Sequence, residues 1–375
     1  MSTENSSLRK VGIGAGIGVG VATGVLSVGY SALKGVAWLD RRRFGIHGDW
    51  EAQAKADLAE PSNAAHRKIP TFDGGEMHFV VREPRINPEA RSIDGEGEVR
   101  ASRGFTTSQE NEPTTFVLLH GVTLGAAVWN HQLTGLPDEF RILAPDWRGH
   151  GSSKAGRDGY GLEPLARDLI TLLEAERVTN AVVVGHSMGG MALMHALVRY
   201  PEMVRTHIAG AVFCSTAAGR VASGPLRAPV KIGAAFAKRR PELAGRAAAE
   251  VPGDLGYAAV RLGFGRSPSP LAVEQCRQFL AHMSPAALSA SMLSLLDHDL
   301  RDPLADLTVP SLILVGSKDI VTPPSQAEEI HSSIFGSELM VFEGAGHLLM
   351  LERQAELTSA LTEFARRVEK RRGTC

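Results

Sequence analysis

The stretch AVVVGHSMGGMALMHAL, residues 181–197, runs from a series of valines through a glycine-rich turn into a helical pattern. Ser187 stands in that turn, between Gly185 on one side and Gly189 and Gly190 on the other. A strand-to-helix turn that holds a nucleophile in a strained backbone conformation leaves room only for small neighbours, which these glycines supply. The helix that follows directs its N-terminal N–H groups and its dipole at the same point, which favours negative charge there. Because G-x-S-x-G is short enough to occur by chance, the surrounding chain decides what the turn means.

Segments on both sides of this turn alternate between strand and helix patterns from residue 114 onward. The strand segments are continuous apolar runs, which are typical of a parallel sheet covered by helices on both faces. They are, in chain order, FVLLHG, FRILAPD, AVVVGHS, HIAGAVFCST, VPSLILVGSKD and SELMVFEGAGH. Two further strands are predicted within residues 66–84, where Asp73, Gly74 and Gly75 form a hairpin turn. The pattern predicts an α/β fold with a mostly parallel central sheet flanked by helices.

The chain divides into four parts on these patterns. Residues 1–43 form a hydrophobic, glycine-rich anchor or leader. Residues 44–216 form the first part of the α/β core, interrupted at 85–113 by a charged, Gly/Ser-rich insertion that is predicted to be flexible. Residues 217–305 contain the helical stretches LAVEQCRQFLAHM and SPAALSASMLSLL and are predicted to be an inserted helical cap, because a structureless loop of that length is uncommon in a compact domain. Residues 306–375 complete the core.

A serine hydroxyl needs a base to accept its proton, and that base needs a carboxylate to orient it and to stabilise its charged form. Asp319 follows the strand LILVGSK, and His347 follows the strand LMVFEGAG. Both therefore lie at the carboxyl ends of parallel strands, at the edge where Ser187 emerges and where open α/β sheets bind ligands. Ser187, Asp319 and His347 are the predicted nucleophile, acid and base.

Other polar residues near these motifs have structural explanations. Asp146 precedes the nucleophile in the chain and is expected to bond to the WRGHG loop, and no carboxylate directly follows FCST. His120, His150 and His186 are expected to make hydrogen bonds that shape their loops. Cys214 lies in the apolar run AGAVFCST and is expected to be a buried strand residue.

Five motifs in order resemble those of the α/β-hydrolase superfamily, in its capped, serine-nucleophile branch. They are LLHGVTLGAAVW, APDWRGHGSS, GHSMGG, LVGSKDIVTPP and GAGHLLMLE, and the resemblance extends from about residue 66 to the C-terminus. The resemblance implies an α/β-hydrolase fold, with Ser187 as nucleophile, His347 as general base and then acid, and Asp319 as its orienting carboxylate. It also implies an oxyanion hole formed by the backbone N–H groups of Val122 and Met188. Similar motifs occur in monoacylglycerol-lipase-like esterases, enol-lactonases and cofactor-free haloperoxidase or perhydrolase relatives.

The expected reaction is hydrolysis of a lipophilic carboxylic ester, such as a mono- or diacylglycerol, through an acyl-enzyme. A serine at this turn disfavours epoxide hydrolase and haloalkane dehalogenase chemistry, which needs a carboxylate nucleophile. A perhydrolase or haloperoxidase-like activity, or a carbon–carbon bond hydrolase, is the alternative on the same three residues, and a non-catalytic ligand-binding protein is the third possibility. No cofactor is expected, and no Cys/His spacing resembles a zinc site. The formal net charge of -1 supplies no basic field for nucleic acid, and three scattered cysteines form no disulfide framework.

The segment at residues 11–33 carries no charge and is flanked by basic residues on both sides. As a helix it would reach about 34 Å, enough to cross a hydrocarbon core of about 30 Å. Glycines recur on one face of that helix, which predicts self-association through a small-residue stripe of Gly12, Gly16, Gly20 and Gly24. A single-pass membrane anchor with a cytoplasmic catalytic domain is expected, because basic residues are denser on the C-terminal side. A flexible leader, or a signal peptide cleaved before secretion, is the alternative.

The predicted cap carries an excess of positive charge. Residues 217–296 contain ten Lys and Arg residues against four acids. A basic face gains free energy next to an anionic leaflet, so the cap is expected to lean on the bilayer, although a solvated face explains the charges equally well. A predicted acyl path, for which packing within the helical core is the alternative, comprises Leu280, Met283, Leu288, Met292 and Leu296.

Overall fold

The computed structural model describes residues 49–85, 113–219 and 253–372, together with residues 39, 40 and 42–44 and a few positions between 232 and 243. The predicted anchor at 11–33, its glycine stripe, nearly all of the insertion at 85–113 and much of the first half of the predicted cap lie outside the described residues.

Eight strands in the described residues form one sheet in the order β1-β2-β4-β3-β5-β6-β7-β8. Strands β1 and β2 form an antiparallel hairpin, β2 is antiparallel to β4, and every other pair is parallel. The mostly parallel α/β sheet predicted from the apolar runs is confirmed. The strands are β1 (Ala64–Pro70), β2 (Glu76–Arg82), β3 (Thr115–Leu119), β4 (Arg141–Pro145), β5 (Ala181–His186), β6 (Ile208–Cys214), β7 (Ser311–Gly316) and β8 (Glu338–Phe342).

Helices connect the parallel strands and cover both faces of the sheet. In chain order they are α1 (Trp50–Asp57), α2 (Asn130–Gly135), α3 (Leu162–Ala175), α4 (Met188–Arg199), α5 (Pro201–His207), α6 (Gly253–Arg261), α7 (Pro270–His282), α8 (Pro285–Leu296), α9 (Pro324–Ser333), α10 (Leu349–Glu352) and α11 (Gln354–Arg372). Two 3₁₀ turns, Ala126–Trp129 and Asp302–Asp306, complete the described elements.

Alternate side chains of the central strands enter two separate hydrophobic layers. Val117 and Val183 pack in one layer, whereas Leu118 and Val184 pack in the other. Side chains of successive strand residues point to opposite faces, so a strand that is apolar at every position must be covered on both sides. This explains why the continuous apolar runs in the sequence correspond to β3, β5 and β7, which are buried throughout.

Two predicted elements differ from the structure at their ends. The helical pattern after the turn continues in the sequence as GMALMHALVRYPEMV, which predicts one helix. It forms two helices, because Pro201 lacks the backbone N–H that would continue α4 and instead begins α5. The last strand ends at Phe342, and the residues Gly344, Ala345 and Gly346 form a loop that folds back over the sheet. A Cβ on Gly316, at the end of β7, would lie 2.2 Å from the Gly346 carbonyl oxygen, so this loop contacts the backbone of β7 directly.

The order in which successive strands are added to the sheet reverses at β3. The chain passes from β3 to β4 on one side and then returns to place β5 on the other side of β3, with Leu119 opposite Gly185. In open α/β sheets the ligand crevice lies outside the carboxyl ends of the strands at such a switch point. The loop that starts at His120 and the turn that holds Ser187 therefore lie side by side.

Helices α6, α7 and α8 lie between β6 and β7 in the chain, where a helical cap is predicted. Helix α7 packs against α1, and the Gln275 side-chain amide donates hydrogen bonds to the Ala54 carbonyl and to the Asp57 carboxylate, each at 2.9 Å. This contact between the N-terminal helix and the cap is not predicted by the sequence patterns. Within the described ranges, no single helix is long and apolar enough to span a bilayer, and α7 and α8 meet the length and composition criteria only together, across a bend of 105°.

Candidate active site

Ser187 occupies a sharp turn between β5 and α4. Its backbone has φ 51° and ψ −118°, in the left-handed half of conformational space that a residue with a side chain rarely adopts. Two contacts hold this conformation: the Ser187 N–H donates to the Cys214 carbonyl at 3.0 Å, and the Thr216 hydroxyl donates to the Ser187 carbonyl at 2.7 Å. The strained strand-to-helix turn predicted from the glycine spacing is present.

The glycines around Ser187 allow neighbouring backbone segments to approach closely. A Cβ on Gly189 would lie 2.6 Å from the Leu119 carbonyl oxygen, and a Cβ on Gly185 would lie 2.6 Å from the Cα of Gly190. Neither distance is compatible with a side chain. The turn can therefore pack against the end of β3 only because these positions have no side chain.

Asp319 and His347 form a buried hydrogen-bonded pair. His347 Nδ1 lies 2.8 Å from Asp319 Oδ2, so the carboxylate accepts from the ring and fixes its orientation. The other carboxylate oxygen accepts from the backbone N–H groups of Val321 and Thr322, and the Thr322 hydroxyl donates to Oδ2 at 2.9 Å. Burial by itself would raise the pKa of Asp319, but the charge and hydrogen bond of His347 and the two N–H groups outweigh it and lower the pKa below its usual range.

The loop that holds His347 contacts the elbow, which is the strand-to-helix turn at Ser187, through His186. The His186 Nε2–H donates to the His347 carbonyl at 2.9 Å, and the two imidazole rings lie 4.8 Å apart, centre to centre. The structure thus brings Asp319 and His347 together beside the residue that precedes Ser187. Among the described contacts no hydrogen bond joins Ser187 Oγ to the His347 ring, and such bonds in enzymes without substrate are often longer than in the reacting complex.

The two predicted oxyanion donors lie on the segments that meet at the switch point. Met188 is the first residue of α4, so its N–H is one of the groups at the helix N-terminus that lack an intrahelical acceptor. Val122 follows Gly121, where an added Cβ would lie 3.1 Å from the Cβ of Ser187. In the described part of the chain neither of these two N–H groups donates a hydrogen bond to another residue. Both remain free to donate to a substrate atom near Ser187.

Three residues that support this site are missing from the sequence predictions. Thr322 bonds to Asp319, and Thr216 bonds to the elbow. Glu352 accepts from the Gly346 N–H at 3.0 Å and from the Gly265 N–H of the cap at 2.7 Å, and the His347 N–H donates to the cap carbonyl of Gly263 at 2.7 Å. Thr322 and Glu352 lie within the motifs LVGSKDIVTPP and GAGHLLMLE, but nothing in their spacing indicates which atoms they contact.

The remaining histidines of the motifs make loop-shaping bonds, as predicted. His120 accepts from the Trp147 N–H at 2.9 Å and lies 2.7 Å, through Nδ1, from the Gly121 carbonyl. Burial lowers the pKa of His120 and of His186 to about 3, so both rings are neutral near pH 7. His150 bonds to the Arg148 carbonyl at 3.2 Å.

Asp146 and Cys214 also have the structural positions predicted for them. Asp146 accepts from the backbone N–H groups of Ser152, in the WRGHG loop region, and of Ala126, after β3. Its second oxygen also lies 2.8 Å from His78 Nδ1. Cys214 is fully buried at the end of β6, where burial raises the pKa of its thiol. Neither residue contacts the Asp319–His347 pair through a described hydrogen bond.

The predicted acyl-path residues Met283 and Leu296 lie in different places. Met283 lines a cavity between the cap and the core, whereas Leu296 is buried in the hydrophobic core.

Of the ten basic residues of the cap, five lie outside the described residues. Two of the remaining five contact acids: Arg261 lies 3.3 Å from Asp40, and Arg277 pairs with Glu274 at 2.6 Å. The described part of the chain contains no cluster of three metal-ligating side chains.

Comparison with known proteins agrees with this architecture. A model of the alpha/beta hydrolase fold family matches residues 114–354. The chain belongs to the alpha/beta hydrolase family. As a hydrolase of this family it is 30% identical over 268 residues to the uncharacterized protein Rv2715 of Mycobacterium tuberculosis, with 66% of this chain and 74% of that protein covered. It is 29% identical over 334 residues to Epoxide hydrolase A of the same species, with 76% and 99% covered.

The hydrolase is also similar to a solved structure. The malate-bound thermophilic esterase from Thermogutta terrifontis superimposes with a TM-score of 0.63 at 25% identity, covering 81% of this chain and 99% of the esterase. Helix α1 precedes the residues matched by the family model, whereas α7, which it contacts, lies within them.

Proposed function

We propose that this hydrolase cleaves a lipophilic carboxylic ester through a covalent acyl-enzyme on Ser187. One observation carries the proposal: a buried Asp319–His347 hydrogen bond of 2.8 Å lies beside a strained turn that presents a serine. The esterase from Thermogutta terrifontis, which is similar over most of this chain, supports an ester as the substrate.

The proposed reaction assigns a role to each side chain of the site and to the two backbone N–H groups. The His347 ring accepts the Ser187 proton as Oγ attacks the ester carbonyl, and Asp319 stabilises the imidazolium that forms. The carbonyl oxygen becomes an oxyanion that accepts hydrogen bonds from the Met188 and Val122 N–H groups, each worth about 10²-fold in rate by the usual effect of one such donor. His347 then protonates the leaving alcohol as its bond to the acyl carbon breaks. In the second half, His347 accepts a proton from the water that attacks the acyl-enzyme and returns it to Ser187 Oγ as the acid is released.

Other hypotheses compete with ester hydrolysis. A perhydrolase or haloperoxidase-like reaction, or cleavage of a carbon–carbon bond, would use the same three residues. Similarity to Epoxide hydrolase A suggests epoxide opening, but an alkyl-enzyme intermediate needs a carboxylate nucleophile, and this chain has Ser187 at the turn. A non-catalytic ligand-binding role would not need the strained elbow or the ordered Asp319–His347 pair.

A panel of p-nitrophenyl esters with chains from two to sixteen carbons tests the proposal. We expect kcat/KM to rise with chain length and turnover to fall by at least about 10³-fold in Ser187→Ala. Turnover of acetate and hydrogen peroxide, with no hydrolysis of any ester, would favour the perhydrolase. Unchanged hydrolysis in Ser187→Ala would contradict the proposal.

We further propose that residues 11–33 anchor the protein in a membrane, with the catalytic domain on the cytoplasmic side. In support, the segment carries no charge and is flanked by basic residues, and soon after it the Asp40 carboxylate accepts a hydrogen bond from the Tyr257 hydroxyl of α6 at 3.2 Å. Leu39 and Leu262 are exposed nearby. An anchor that holds the catalytic domain at a membrane would bring it close to lipophilic esters.

Carbonate extraction of membranes from expressing cells tests the anchor. The full chain should stay in the pellet, and a variant with Val19→Asp and Val21→Asp should move to the supernatant, because charges near the centre of a membrane helix are costly. A mature protein that lacks the first thirty or so residues by intact mass would contradict the anchor and favour a cleaved signal. Cross-linking of Gly16→Ile and Gly20→Ile variants in the membrane tests self-association, which these substitutions should abolish.

A further inference from the structure

The cap contacts the loop of His347 through its backbone. The cap segment is residues 263–266, between α6 and α7, and the histidine loop is residues 343–348, between β8 and α10. The His347 N–H donates to the Gly263 carbonyl at 2.7 Å. The backbone of the proposed base is therefore bonded directly to the cap.

Two glycines allow the cap segment and the histidine loop to approach closely. A Cβ on Gly346 would lie 2.5 Å from the Gly265 nitrogen, and a Cβ on Gly265 would lie 2.8 Å from the Gly346 nitrogen. Neither distance is compatible with a side chain. The Arg266 N–H also donates to the Gly344 carbonyl at 3.1 Å. The cap segment thus lies directly against the residue that precedes His347.

Glu352, in α10, joins the two segments with one carboxylate. Its Oε1 accepts from the Gly346 N–H at 3.0 Å and from the Leu348 N–H at 3.3 Å, and its Oε2 accepts from the Gly265 N–H at 2.7 Å. One oxygen therefore holds the peptide groups on either side of His347, and the other holds the cap segment. Among side chains of this length only an ionised carboxylate has acceptors at both positions, because an amide has a donor at one of them.

The surroundings of Glu352 are unfavourable for a charge. Burial raises the pKa of Glu352, and the three N–H groups and the Arg353 guanidinium offset only part of that effect. Packing alone would be served as well by an apolar side chain, which avoids the cost of removing a charge from water. Carboxyl groups with perturbed pKa values cluster at functional sites, so the bonds of Glu352 point to a role in the reaction.

We propose that Glu352 is a positioning residue, which fixes the backbone of His347 to the cap segment and so sets the place of the imidazole. The His347 carbonyl accepts from the His186 Nε2–H at 2.9 Å, so the elbow holds the loop on one side and the cap holds it on the other. The cap segment is then part of the catalytic framework as well as a cover over the sheet. This inference rests on the proposed function, in which His347 is the base, but the bonds of Glu352 can be tested without it.

Two substitutions in the full-length chain remove the acceptors of Glu352 in steps. Glu352→Gln keeps an acceptor at one end of the side chain, and Glu352→Met has a similar length and only a weakly accepting sulfur. Turnover of a p-nitrophenyl ester is divided by the number of serines that a fluorophosphonate titrates, so that misfolded molecules are not counted. We expect kcat per titrated serine to fall about 10-fold in Glu352→Gln and about 10²-fold in Glu352→Met, with KM changed by less than about twofold, because a displacement of about 1 Å can cost this much in rate.

Glu356→Gln is the matched control for these variants. The Glu356 carboxylate is largely exposed, 3.6 Å from Arg353, and lies four residues beyond Glu352. It should leave kcat per titrated serine unchanged. A role of Glu352 in folding alone would lower the number of titrated serines in Glu352→Gln and leave the kcat of each one unchanged.

Gly265→Ala tests the same contact from the cap side. Its methyl group would meet the Gly346 nitrogen, so we expect a loss of kcat similar to that of Glu352→Gln. The double variant should lose less than the product of the two single losses, because both substitutions break one contact. Gly256→Ala, in the cap helix α6, is the control, since an added Cβ there would have its nearest neighbour at 3.9 Å, in Arg277.

Hydrogen exchange of the Gly265, Gly346 and Leu348 amides measures the bonds themselves. All three amides should exchange faster in Glu352→Gln than in the wild-type chain. Unchanged kcat per titrated serine in both Glu352 variants, a loss confined to KM, or unchanged exchange would overturn the inference. A wild-type chain that hydrolyses no ester and is not labelled at Ser187 would instead overturn the proposed function, and the exchange rates would still decide whether Glu352 holds both segments.

Discussion

The Asp319 carboxylate orients His347 and balances the charge that the ring acquires when it takes a proton. The lowered pKa of Asp319 favours its ionised form near neutral pH. We expect Asp319→Asn to lower kcat by about 10³–10⁴-fold, because an amide can hold the ring in the wrong tautomer and supplies no charge. Steady-state kinetics with a p-nitrophenyl ester measures the effect, and near-native turnover would mean that another acid serves the ring.

Single residues of the site differ in how far the sequence predicts them. The placement of Ser187, Asp319 and His347 at one edge of the sheet could be predicted, because each follows an apolar strand and parallel strands bring such positions to one edge. Thr322, Thr216 and Glu352 are not found, because each acts through a hydrogen bond to another segment, and such bonds leave no periodic pattern in the chain.

The packing of the elbow against β3 depends on the absence of a side chain at Gly189. A methyl group there would lie 2.6 Å from the Leu119 carbonyl oxygen, so α4 must shift away from the sheet. We expect Gly189→Ala to lower the free energy of unfolding by about 1–3 kcal/mol and to abolish most activity. Chemical denaturation measures the first effect. Gly233→Ala is the matched control, since an added Cβ there meets nothing within 4 Å, and equal stability of the two variants would contradict this account.

A second element-scale contact joins the β1–β2 hairpin to α3 through Arg148. Its guanidinium is buried and bonds to Asp73 at 2.8 Å and to Asp168 at 2.7 Å. Arg148→Met leaves two buried carboxylates without a partner, so we expect a loss of about 3–5 kcal/mol in the free energy of unfolding. Arg205→Met removes an exposed partner of Glu202 and should cost less than about 1 kcal/mol. A similar loss in both variants by urea denaturation would contradict the role of Arg148.

Strands and most helices could be predicted because burial on both faces forces a continuous apolar run, as in β5 and β7. The break between α4 and α5 follows from Pro201, and the proline was available in the sequence. The position of α1 on the cap could not be predicted, because it depends on a bond between Gln275 and Ala54, which lie 221 residues apart in the chain.

Buried neutral histidines make the stability of the whole molecule depend on pH. Burial lowers the pKa of His120 and His186 to about 3 and that of His298 to about 4. Below about pH 6.5 these histidines bind protons in the unfolded chain but not in the folded chain. Their contribution to the free energy of unfolding is therefore complete above about pH 6.5 and declines as the pH falls towards 4. We expect the free energy of unfolding to fall by roughly 1 kcal/mol per pH unit for each histidine.

Carboxylates do not produce the same loss in this pH range. Asp319 contributes stability above its usual pKa and loses it only as the pH falls through its lowered value, whereas burial raises the pKa of Asp168 and Glu352, which opposes the histidines. Thermal melting between pH 7.5 and 4.5 measures the net slope. His298→Gln should make the slope shallower, and a melting temperature that does not change between pH 7 and pH 5 would refute the role of the buried histidines.

In the proposed mechanism Ser187 is a nucleophile activated by His347 and Asp319. Fluorophosphonate labelling followed by peptide mass mapping tests it most directly, because the reagent forms a stable adduct only with an activated serine. We expect one adduct per chain, on the peptide that contains Ser187, with no labelling of Ser187→Ala and slow labelling of Asp319→Asn. An adduct on another residue, or labelling that persists unchanged in Ser187→Ala, would contradict it.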